Sequence, residues 1–134
     1  MARNGFDDAI RRGTVGAEAV EGLLAYASTR SRWGGGALKN AREAVEMSRT
    51  LAAADPPAYT PLLARALRTS ATLLLRRRRP ARALPAAQES VALARAAGGA
   101  PLIVSLACLA DVLTALHRYG EAAEAMAEAA EITE

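Results

Sequence analysis

The sequence predicts an all-α protein, and three observations carry that prediction. Alanine fills 34 of the 134 positions, and the aromatic residues are only Phe6, Tyr26, Trp33, Tyr59 and Tyr119. Strands favour β-branched and aromatic side chains, whereas Ala with scattered Leu, Glu and Arg is the composition of the best helix formers. Apolar residues also recur at spacings of three and four, one face of a helix. Finally, a unit two helices long is repeated along the chain, the pattern of an array of stacked helical hairpins.

The elements follow from local signals. Asn4 can cap a short helix ending at Gly13, and Thr14 can cap the next, running to about Arg32. Further helices are expected over 37–54, 61–76, 81–97, 101–116 and 119–133. Asp55-Pro56-Pro57 and Gly98-Gly99 punctuate the chain, and Pro101 opens a helix where its missing N–H costs nothing. Residues 1–17 read as an N-terminal segment with a short helix. Residues 18–134 read as the array, with approximate repeats 18–51, 64–97 and 103–134.

The repeat is visible residue by residue. Laying 37–49 over 83–95, a shift of 46, pairs Ala37 with Ala83, Leu38 with Leu84, Ala41 with Ala87, Glu43 with Glu89, Val45 with Val91, Met47 with Leu93 and Arg49 with Arg95. A further shift of 39 sets Ala83 on Ala122, Ala87 on Met126, Glu89 on Glu128 and Ser90 on Ala129. At the same shift Leu67, Ala71 and Leu74 fall on Leu106, Ala110 and Leu113. Because the facing positions are mostly Ala and Ser, the helix axes should approach toward the short end of the roughly 8–10 Å range.

Segment 109–132, "LADVLTALHRYGEAAEAMAEAAEI", resembles a tetratricopeptide repeat: Leu109-Ala110 in mid first helix, Leu113 a turn on, Tyr119 at the hairpin, then Ala122, Met126 and Ala129 down the second helix. A middle copy keeps Ala71, Leu74, Ala83 and Ser90, with Pro80 at the hairpin position. An early copy keeps Leu24-Ala25, Ala37, Ala41 and Ala44, with Gly34-Gly35-Gly36 at the turn and "LAAADPPAYTP" (51–61) as a lengthened connector. The Ala/Arg-rich composition is similar to arrays common in actinobacterial proteins. The resemblance, which covers 18–134, implies an α-solenoid of about three repeats that binds another protein through a concave face lined by the first helix of each unit.

Several functions are excluded or disfavoured by content. Cys108 is the only cysteine, so no intrachain disulfide or thiolate zinc site can form, and a reducing, cytoplasmic compartment is expected. No apolar run reaches the length of a membrane span, and the first residues lack the order of a signal peptide. His117 stands alone, Asp111 has no acid or base partner within a helical turn, and the glycines at 34–36 lack the GK[ST] ending of a phosphate loop. The reading is therefore non-enzymatic, with no cofactor or metal. Cys108, inside "PLIVSLACLADVL", reads as a buried small apolar side chain, and Trp33 as a packing plug.

Charge patterning suggests where a partner binds. The chain carries a net +3, but between Asp55 and Glu89 lie Arg65, Arg68, Arg76, Arg77, Arg78, Arg79 and Arg82 with no carboxylate among them. Guanidinium forks pair with carboxylates. The register puts Tyr26, Arg30, Arg65, Arg68, Thr72, Arg76, Asp111 and Thr114 on the groove, which would take an acidic or extended peptide. Glu121, Glu124, Glu128 and Glu131 line one face of the last helix, as a polar outer face or as a complement to Arg77, Arg78 and Arg79 of a second copy in a self-associating scaffold; service as the repeat domain of a larger regulatory assembly is the other structural reading. Nucleic acid is a poor fit, because no aromatic residue between Tyr59 and Tyr119 can stack a base.

Overall fold

A computed structural model describes residues 5–30 and 36–133. Among them are six α-helices and no strand: α1 (Gly5–Arg30), α2 (Gly36–Ala54), α3 (Pro56–Arg76), α4 (Pro80–Ala94), α5 (Gly99–Ala115) and α6 (Tyr119–Thr133). Each helix packs on its neighbours in sequence. In addition α1 meets α3 and α3 meets α5 directly, while the even-numbered helices make no comparable backbone approach among the described residues. The odd helices thus form one row and the even helices a second row behind it. Asn4, Trp33 and the glycines at 34 and 35 lie outside the described residues.

In α2 to α5 the buried face is the one periodicity predicts, whereas in α1 Leu24 is buried but Ala25, read beside it in the early copy, is exposed. In α3 and α5, Leu63, Leu67, Ala71 and Leu74 are buried, as are Leu102, Leu106, Ala110 and Leu113 at the repeat offset. In α1, Val20, Leu24 and Ala27 are buried with the same four-then-three spacing as Leu63, Leu67 and Ser70. The second helices contribute small residues: Ala37, Ala41 and Ala44 in α2, Ala83, Ala87 and Ser90 in α4, Ala122 and Ala129 in α6. At the end of the row the correspondence lapses. Met126 occupies the position of the fully buried Ala41 and Ala87, yet it is half exposed because, among the described residues, no helix lies against that side of α6.

Two connections repeat in atomic detail. After α3, the N–H of Arg78 donates to the Leu75 carbonyl and that of Arg79 to the Leu74 carbonyl; after α5, His117 donates to Thr114 and Arg118 to Leu113. These paired bonds close a helix end by turning one residue left-handed, usually a glycine. Here the turning residues are Arg78, with φ 60°, and His117, with φ 61°. The connection between α4 and α5 uses Gly98 instead, with φ 64° and ψ −158°, a region that residues with a Cβ avoid.

Helix boundaries differ from the sequence expectation: α4 ends at Ala94 rather than near 97, α5 begins at Gly99 ahead of Pro101, and two larger differences lie in α1 and α3. α1 is one unbroken helix and does not stop at Gly13 or restart at Thr14. The glycine serves packing instead, since a Cβ at Gly13 would stand 2.5 Å from the Tyr59 hydroxyl. α3 begins at Pro56 rather than near 61, so the expected connector is helical. Asp55 is the only residue between α2 and α3, and its carboxylate accepts from the Ala58 N–H at 3.4 Å. Pro56 and Pro57 occupy the first turn, where no N–H is needed. Pro61 lies inside α3, one turn beyond.

The strained turn residues give a direct test. Arg78→Gly relieves a left-handed arginine and should add about 1 kcal/mol of stability, whereas Gly98→Ala should cost about 1–3 kcal/mol. Urea unfolding should show midpoints moving in opposite directions. Equal midpoints for the two variants would contradict the turn geometry.

Candidate functional site: a trough along the inner helices

The inner row carries a trough whose floor is α3. Its basic half is a hollow of about 350 Å³ bounded by Ser28, Arg65, Arg68, Thr69, Thr72, Leu73, Arg76, Val104 and Cys108. The residues come from α1, α3 and α5, and α3 supplies most of them because residues three and four apart share a helix face.

Arg65 and Arg68 tie α3 to both inner neighbours, in different ways. Arg65 forms an ion pair with Glu21 of α1. Arg68 is half-buried, and its Nη1 donates to the hydroxyl of fully buried Ser105 of α5 at 3.3 Å. Burial lowers the Arg68 pKa below its ordinary value, with Cys108 opposing the shift and the nearby Arg65 charge adding to it. No carboxylate lies within ion-pair distance of Arg68 among the described residues. Arg68 has thus exchanged part of its water for a neutral hydroxyl, which compensates a charged group less well than an opposite charge would.

Cys108 faces the same hollow. Burial pushes its thiol above the ordinary value, a hydrogen bond from Thr72 pulls the other way, Asp111 reinforces the rise and Arg68 opposes it. The thiolate, the reactive form, is correspondingly scarce at neutral pH. Cys108 is therefore a half-buried wall residue, more accessible than the core position expected from its apolar surroundings.

The remaining expected residues divide clearly. Arg65, Arg68, Thr72 and Arg76 converge on one hollow. Tyr26 and Asp111 are exposed on α1 and α5 and border neither half of the trough, and Thr114 spends its hydroxyl on the Ala110 carbonyl at 2.8 Å. Arg30 ends α1, but its side chain lies outside the described residues. Sequence reasoning missed Ser28, Thr69 and Leu73 as lining residues, and on α5 Val104 and Cys108. For the α5 pair the signal was present, because the two sit 39 residues beyond Arg65 and Thr69.

Two arginines of the outer row bridge successive even-numbered helices. Arg49 of α2 pairs with Glu89 of α4 through two hydrogen bonds, at 2.6 and 3.1 Å, and Arg95 after α4 pairs with Glu128 of α6. Arg49 corresponds to Arg95, and Glu89 to Glu128, so the same pair recurs from unit to unit. The Arg95 bond holds the Glu128 carboxyl below its usual range, and Arg118 does the same to Glu121. Two members of the acidic stripe are thus engaged within the chain, while Glu124 and Glu131 are exposed. Arg77, Arg78 and Arg79 are exposed in the turn after α3.

Among the described residues, no group of three or more His, Cys, Asp and Glu side chains could hold a metal, and no helix is long and apolar enough to cross a membrane. No family model, curated protein or solved structure matches the chain.

The Cys108 environment predicts slow chemistry. At pH 7 an aromatic disulfide reagent should label Cys108 far more slowly in the folded protein than in urea, with the folded rate rising only at pH above that of an ordinary thiol. Equal folded and unfolded rates would place the thiol in open solvent.

Proposed function

We propose that the chain is a short array of tetratricopeptide-like helical hairpins that works by recognition alone, taking an acidic, extended segment of a partner protein into the trough along α3. A reducing, cytoplasmic setting is part of the same reading and rests on the lone Cys108. The observation that carries the proposal is the half-buried Arg68, which has no carboxylate partner among the described residues, lies beside a second arginine and opens to a hollow. A bound carboxylate would supply the missing charge, and a buried charge-assisted hydrogen bond is stronger than its solvated equivalent. The repeated helix register and the recurring outer ion pairs support the array. The pairing of Glu121 and Glu128 inside the chain favours a foreign acidic partner over a second copy.

Anisotropy of a fluorescein-labelled, glutamate-rich nonapeptide tests this reading. Arg68→Met should weaken binding about tenfold, the loss of one charge-assisted contact of 1.4 kcal/mol, and added salt should weaken the wild-type complex. An affinity that Arg68→Met leaves unchanged would remove the trough as the binding site.

A further inference from the structure

The trough has a second half that the proposed acidic ligand does not use. A hollow of about 680 Å³ continues past Arg65 and Arg68 toward the N-terminal ends of α3 and α5. Pro56, Pro57 and Pro61 form one wall, and the other is built from Ala97, Ala100, Pro101 and Val104 around the turn between α4 and α5. Apart from the two arginines, the only polar side chain on it is Thr60. Val104 is half exposed here, an apolar residue at the junction where both hollows meet.

The two hollows share Arg65, Arg68 and Val104 in their linings, so they adjoin along α3, one reaching Pro56 at its start and the other Arg76 at its end. The 21 residues of α3 span about 30 Å, the length of about nine residues of extended chain. A compact ligand would fill one half only. Resting on the reading above, we propose that the partner segment is bipartite: apolar side chains seated against the proline and alanine walls, and acidic side chains beyond them meeting Arg68 and its neighbours. Charge complementarity fixes the acidic half. The apolar half is fixed by a wall of prolines and alanines that offers a ligand almost no hydrogen bonds.

The test uses labelled nonapeptides with leucines in one third and glutamates in another, made in both block orders, beside a control in which serine replaces each leucine. One block order should bind the protein at least tenfold more tightly than the control. Ala97→Gln and Ala100→Gln, both exposed positions that line the apolar hollow alone, should each erase most of that gain and leave the control's affinity unchanged, whereas Arg68→Met should weaken both peptides. If neither block order exceeds the control, or if the gain survives in both wall variants, the bipartite ligand is wrong while the acidic-segment reading stands. If Arg68→Met changes neither peptide, the acidic-segment reading itself falls.

Discussion

The helices meet through alanine and serine, and the remainder of the architecture follows from that choice. Ala41, Ala44 and Ser48 of α2, and Ala83, Ala87 and Ser90 of α4, have no exposed surface at all. The serines do not need partners across the interface. Ser48 donates to the Ala44 carbonyl at 2.7 Å and Ser90 to the Ala87 carbonyl at 2.8 Å, each within its own helix. Interfaces of this kind permit close approach and leave no room for long side chains. Bulk is therefore supplied by Leu63, Leu67, Leu74, Leu102, Leu106 and Leu113 of the inner helices, and long polar chains are directed onto the two outward faces of the double row.

Those faces use arginine in opposite circumstances. On the outer face, Arg49 and Arg95 each find a glutamate one unit further along, a solvated pairing of modest energetic worth whose regularity matters more than its strength. On the inner face, Arg68 donates to Ser105 of α5 and meets no carboxylate among the described residues. A count of seven arginines without an acid between Asp55 and Glu89 cannot separate the two situations. Burial and partner geometry can: Arg68 is half-buried and bonded to a neutral hydroxyl, and the proposed recognition of an acidic segment rests on that difference.

The helices and their buried faces were legible because they depend on local periodicity. The matched positions Ala37 and Ala83, or Leu67 and Leu106, lie where the repeat offsets put them. The continuity of α1 was not legible, since a glycine normally argues for a break and only the Tyr59 hydroxyl against Gly13 shows its packing role. The early start of α3 was hidden by two prolines that mark a loop as readily as a first helical turn. Convergence of Arg65, Arg68, Thr72 and Arg76 could be read from helical spacing on one element. The apolar half of the trough could not, because its walls come from the start of α3 and a turn some forty residues later, an association that only the packing of α3 against α5 creates.

The central claim, that small residues set the spacing of the helices, is tested most directly by adding bulk where there is no space and where there is. Ala87→Leu places three extra carbons in a fully buried contact, while Ala92→Leu places them on the exposed face of the same helix. Urea unfolding should show Ala87→Leu losing about 2 kcal/mol, with Ala92→Leu unchanged within the scatter expected of a surface substitution. Equal stability of the two variants and the wild type would mean that the helices do not depend on close approach, and the account built on it would fail.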